Sequence, residues 1–180
     1  MSEASPVPAL VQAARHGDGI AMAALYRMFA PVLHGILLSR MQQADADDLT
    51  QEVFETALRR LADLREPAAF PGWIVSIARR AAVDAARRRV PLTGVEIDAP
   101  AEDADHAERL DAERALTAIR RLPEAYRETL MLRLVEGLSG PEIADRTGLT
   151  AGSVRVNLHR GMSLLREALG ATAGERGGLR

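Results

Sequence analysis

The chain of 180 residues has room for one ordinary domain or two small ones, and its 47% apolar residues are enough for packed cores. It has no Cys, which excludes disulfides, thiolate metal sites and cysteine nucleophiles, and its four His fall at no metal-binding helical spacing. The net charge of −2 hides an uneven distribution: residues 91–113 carry one Arg and eight acids, while the segments on either side carry more Arg than acids.

Residues 9–16 read as a short helix stopped by Gly17. Asp18 caps a second helix that passes Phe29, kinks or restarts at Pro31 and reaches Met41. A third helix takes Asp45 as its N-cap and extends to residue 64; it contains ADADDLTQEVFETALRRL. Leu49, Val53, Phe54, Ala57, Leu58 and Leu61 form its buried side, and Asp48, Gln51, Glu52, Glu55 and Arg59 lie opposite. The close aspartates suit the positive end of the helix dipole better than a metal site. A fourth helix starts near Phe70, takes Pro71 in its first turn and ends in Arg87, Arg88 and Arg89. Phe70, Trp73, Ile74 and Ile77 belong to its core side, and Arg79, Arg80, Arg87 and Arg88 to a basic surface.

These elements make a first domain over residues 1–89. Residues 90–106, VPLTGVEIDAPAEDADH, have two prolines, a glycine, many acids and no amphipathic period, and read as a flexible acidic linker. Such a segment does not bind DNA and can mimic nucleic acid inside a basic channel. A second domain covers residues 107–170, with helices over 108–121 and 124–136 and a stop at Gly137. Residues 171–180, Gly-rich and polar, read as a disordered tail. No alternating strand pattern occurs. The expected fold is all-α: two small helical domains joined by the linker. No run of about 18 apolar residues predicts a membrane span. Residues 1–9 lack a basic-then-apolar leader pattern, so the expected location is cytoplasmic.

The second domain ends in LSGPEIADRTGLTAGSVRVNLHRGMSLLREAL. Ser139 and Glu142 have capping-box spacing, Gly148 supplies a tight turn, Leu149 fills the angle and Thr150 caps the next helix. In that helix Val154, Leu158, Met162, Leu165 and Leu169 share one side. Ser153, Val156, His159 and Arg160 lie opposite, flanked by Arg155 and Asn157. A plain helical hairpin would explain any one of these features; their coincidence predicts a helix-turn-helix whose second helix enters a major groove. Arg155 and Arg160 suit phosphates or guanine, Asn157 suits adenine, and Val156 suits a thymine methyl.

The order and spacing of DADDLTQEVF, FPGWIVSIARRAAVDAARRR, an acidic linker and LPEAYRETLMLRLVEGLSGPEIADRTGLTAGSVRVNLHRGMSLLREAL resemble a bacterial sigma factor of the extracytoplasmic-function group. The resemblance spans residues 7–169. It implies a dissociable RNA polymerase subunit that takes no cofactor and has three partners: core polymerase, promoter DNA and an anti-sigma factor. It makes Asp48, Gln51, Glu52 and Glu55 the polymerase-binding candidates. Trp73, Arg79, Arg80, Asp84 and Arg87 fall in the segment that reads and melts the −10 element. Ser153, Arg155, Val156, Asn157, His159 and Arg160 fall at the positions that read the −35 element. Family members commonly carry Asn where this chain has Arg80. Two alternatives stay open at this point: a sigma-like decoy that titrates an anti-sigma factor, and a stand-alone helix-turn-helix regulator. An enzyme is disfavoured, because no catalytic set converges in the sequence.

Overall fold

A computed structural model describes residues 5–88 and 104–177, and its regular structure is helical throughout. Helix α1 (Val7–Arg15) leads into α2 (Gly19–Leu38), whose first turn is capped by Asp18, accepting from the backbone N–H of Ile20 at 2.8 Å and Ala21 at 3.2 Å. Pro31 lies inside α2, which continues through it as one helix. The C-terminal half of α2 buries Val32, Leu33, Ile36, Leu37 and Leu38, nearly all round the helix. Its mean hydropathy of 1.5 over a membrane-length window has a packing cause, because other helices cover it on several sides.

Helix α3 (Gln43–Arg59) starts three residues earlier than an N-cap at Asp45 implies. Gln42 is the N-cap and Asp45 lies in the first turn, where its charge meets the helix dipole. The helix ends at Arg59; a 3-10 turn at Leu61–Asp63 follows, which the sequence reading had merged into the helix. Buried Leu61 and Leu64 anchor that turn, and Arg15 Nε donates to the Leu61 carbonyl at 3.2 Å. Helix α4 (Phe70–Arg88) buries Phe70, Ile74, Val75, Ala78 and Ala82. Phe70 meets Phe29 of α2 edge to face, with centroids 5.0 Å apart.

In the second domain α5 (Ala104–Arg120) begins a turn before the expected start. Helix α6 (Glu124–Leu134) follows Pro123, and α7 (Gly140–Thr147) and α8 (Ala151–Gly177) complete the domain. Helix α8 runs past residue 170, through part of the segment expected as a disordered tail; no proline interrupts it there. Most of the expected linker, residues 90–103, lies outside the described residues.

The two domains do not stand apart. Helix α6 packs on α2, and α7 packs on both α4 and α2, so one continuous hydrophobic core runs through both. This accounts for three consecutive buried residues on α6, Leu130, Met131 and Leu132, since α8 covers one side and α2 another. Fully burying a side chain such as Leu132 contributes roughly 1.5–3 kcal/mol.

Candidate nucleic-acid interface

The sequence-predicted helix-turn-helix forms as α7, a glycine turn and α8. Ser139 Oγ accepts from Glu142 N, and Glu142 Oε2 accepts from Ser139 N at 2.9 Å, closing a capping box. These bonds from Ser139 N–H and the Ser139 hydroxyl, with Arg146 nearby, hold the Glu142 carboxyl below its usual range. Gly148 has φ of 76°, the left-handed conformation that an L side chain rarely adopts. Thr150 Oγ1 then accepts from Ser153 N at 3.1 Å and caps α8.

Val154 and Leu165 are buried, and Leu158, Met162 and Leu169 pack half-buried against the core. On the other side Arg155, Val156, His159 and Arg160 are exposed. Val156 is 42% exposed, a branched apolar side chain on a polar face. Ser153 is also exposed, but its hydroxyl lies 2.8 Å from Thr150 Oγ1 and is engaged in the cap. Asn157 sits at the margin, half-buried. The face therefore presents two guanidiniums, an imidazole and a methyl-bearing side chain on the first turns of one rigid helix. This is the arrangement by which a helix reads phosphates and base edges in a major groove.

The acidic face of α3 is likewise exposed: Asp48, Gln51, Glu52 and Glu55 all point to solvent. Gln51 Nε2 donates to Glu55 Oε1 at 3.2 Å, and Asp48 and Glu52 line a hollow of about 260 Å³ with Arg40, Met41, Leu49 and Arg88. Polar and apolar groups side by side in an open hollow suit a protein partner.

Along α4 the structure brings Arg79, Arg80, Asp84 and Arg87 together around one shallow depression that includes exposed Val83. Trp73 is separate. It lies a turn and a half away, half-buried against Phe70 with centroids 6.0 Å apart, on an apolar groove shared with Asp145 and Gly148 of the other domain.

The sequence reading missed a cluster at the seam between domains. Glu128 of α6 is 5% exposed. Its carboxylate accepts from Arg40 Nη2 at 2.8 Å and from Arg79 Nη2 at 2.7 Å and Nε at 3.2 Å. Arg40 also pairs with Glu124. His34 Nδ1 bonds Glu136, and its Nε2 lies 3.2 Å from Asp47. The hydrogen bond to Glu136 raises the His34 pKa above 6.5, against the pull of burial and with help from both carboxylate charges. Arg120 Nε donates to the Leu38 carbonyl at 3.0 Å, closing the end of α2 from the other domain. The available signal was an acid, Glu128, two residues before the apolar run Leu130–Met131–Leu132, where burial requires it to be paired.

Comparison with known proteins agrees with this layout. Residues 25–90 match Sigma-70 region 2 and residues 112–165 match Sigma-70, region 4. The ECF RNA polymerase sigma factor SigE of Mycolicibacterium smegmatis is 35% identical over 143 residues, 74% of this chain; the chain spans 55% of that protein's length. The ECF RNA polymerase sigma factor RpoE of Cereibacter sphaeroides is 32% identical over 168 residues, 88% of this chain and 92% of that one. Among solved structures, CnrH in complex with the cytosolic domain of CnrY has the same fold, with a TM-score of 0.63 at 24% identity over 93% of this chain and 99% of that one. With a region 2-like domain, a region 4-like helix-turn-helix and a relative 32% identical over 92% of its own length, the chain belongs to the extracytoplasmic-function group of RNA polymerase sigma factors.

Proposed function

We propose that this chain is a dissociable, non-enzymatic subunit of RNA polymerase that directs promoter-specific initiation in the cytoplasm. The observation that carries the reading is the exposed Arg155–Val156–His159–Arg160 face of α8, held in one chain with the acidic α3 face and the arginine-lined depression of α4. In this assignment Asp48, Gln51, Glu52 and Glu55 engage core polymerase. Arg79, Arg80, Asp84 and Arg87, with Trp73, act on the −10 element and its melting. Capture of one or two bases at the depression needs few aromatic platforms, in keeping with a chain that has only one Trp, two Tyr and three Phe. Ser153, Arg155, Val156, Asn157, His159 and Arg160 read the −35 element, with Ser153 confined by its capping role to a backbone contact.

An anti-sigma factor is the expected regulator. Its support is the resemblance itself and the capture of CnrH, whose fold this chain shares, by the cytosolic domain of CnrY. The decoy alternative is disfavoured because a decoy has no use for an intact groove-facing helix. A stand-alone regulator leaves the α3 face without a partner.

The test is transcription. Purified chain and core RNA polymerase are incubated with a promoter library and the transcripts are sequenced. Specific start sites sharing two upstream elements are expected, and Asp48→Arg with Glu52→Arg should abolish them by preventing core binding. Absence of both core binding and transcripts would overturn the assignment.

A further inference from the structure

The groove-facing side of α8 has a gap in it. Gly152 lies in the first turn of the helix, and it is not among the described glycines with positive φ. A Cβ built on it would meet only Thr150 Oγ1, at 3.9 Å. Alanine would therefore fit this position and would favour the helix. Among the described residues nothing calls for a glycine here. Bare backbone serves a body that approaches closely from outside, and under the proposed function the body on this face is DNA.

Exposed Val156 stands one turn along the same ridge, at i+4 from Gly152, with Arg160 a further turn on. A helical side chain leans back toward the N-terminus, so Val156 lies over the edge of the space that Gly152 leaves open. Ser153 borders that space, and its hydroxyl is paired with Thr150 Oγ1 at 2.8 Å. The border of the gap is thus apolar or already paired. A valine is short, and on this face it touches a base edge only if the helix backbone comes close. Gly152 allows that approach. A single exposed valine is ordinary on a protein surface. A valine and an unforced glycine one turn apart, on the face that Arg155 and Arg160 flank, form a notch suited to a small apolar group. The apolar group that a base pair shows in the major groove is the C5 methyl of a pyrimidine.

We propose that Gly152 and Val156 make α8 a reader of a pyrimidine C5 methyl: at one position of the −35 element the chain takes thymine or 5-methylcytosine and discriminates against uracil and cytosine. The recognised group is the methyl and not the hydrogen-bonding edge, because valine has neither donor nor acceptor in its side chain. A cytosine at that position becomes readable when it is methylated at C5. This inference rests on the assignment of the α8 face to the −35 element and adds what one position of that face selects. Burial of one methyl group corresponds to about a four-fold difference in affinity.

The test changes single groups of the DNA and leaves the protein folded. Holoenzyme is reconstituted from the full chain and core polymerase, and its affinity is measured for a promoter recovered from the library. Each thymine of the −35 element, on either strand, is replaced in turn by deoxyuridine, which keeps the base pair and removes only the methyl. One replacement should weaken binding by about four-fold and the others by little. At that same position 5-methylcytosine paired with guanine should bind about four-fold more tightly than cytosine paired with guanine. Val156→Ala, at an exposed helical position that alanine suits, should erase both differences. Gly152→Ala should weaken binding to the thymine promoter even though it favours the helix, because its Cβ holds the backbone off the base. The inference is overturned if no thymine is sensitive to loss of its methyl, if the methyl effect is absent from cytosine, or if the differences survive Val156→Ala. Binding by Gly152→Ala as tight as that of the unmodified chain also overturns it. Any of these results beside specific initiation sinks methyl reading alone; initiation on no promoter sinks the sigma assignment with it.

Discussion

Single side chains carry distinct duties that can be separated by measurement. Arg160 lies exposed on α8. If it reads a base, Arg160→Ala should weaken holoenzyme binding by about 1–3 kcal/mol on promoters with the preferred base and by little on others. A uniform loss across sequences with a shallower salt dependence would make it a phosphate contact instead. His34 joins α2 to α6 through its bond to Glu136. Its pKa is raised from 6.5 by the bond to Glu136, with Asp47 on its other side, so the folded state binds the proton more tightly than the unfolded one. The stabilisation is complete below the unfolded value and fades as pH rises through the raised one. Thermal melts should therefore show His34→Gln less stable than the unmodified chain at about pH 6, by roughly 1.5–3 kcal/mol for a charge-assisted bond, with the gap closing in alkali. An unchanged gap at all pH values would contradict the pairing. These residues differ in how visible they were beforehand. Arg160 followed from helical periodicity alone, whereas His34 meets Glu136 across 102 positions of sequence and no local pattern joins them.

At the scale of elements, the helix-turn-helix was legible because its signals are local: a capping box, a left-handed glycine and a capping threonine each act within four residues. Gly148→Ala tests how much depends on the turn. It forces an L residue to φ near 76° against the Gly72 backbone, and should cost at least about 1–2 kcal/mol in chemical denaturation. No loss would mean that the turn relaxes freely. The start of α3 was misplaced for a physical reason. Asp45 has a side chain suited to capping, yet Gln42 takes the extended conformation and helix formation begins there, leaving Asp45 within the first turn. Helix α2 shows the opposite failure. Pro31 suggested a break, but packing on α1, α3, α4 and α6 outweighs one missing backbone hydrogen bond. Its nearly all-round apolar second half was the visible trace of a covering helix, without naming which helix covers it.

For the whole molecule, the two surfaces proposed to face the promoter belong to different domains, and a third surface joins those domains to each other. The class of fold and the three motif blocks were readable from composition and spacing. The joined arrangement was not, since it depends on Arg79 and Arg40 meeting Glu128 from 49 and 88 positions away. The proposed function requires that polymerase set both proposed DNA-facing surfaces on one face of the duplex. The most direct test is initiation by reconstituted holoenzyme on a promoter recovered from the library, compared with the same promoter carrying about five extra base pairs between its two elements, half of the 10–10.5 base-pair turn. The account predicts strong specific initiation on the first and its loss on the second, because the insertion rotates one element out of reach. Equal initiation on both would contradict it, showing that only one of the two surfaces reads the promoter.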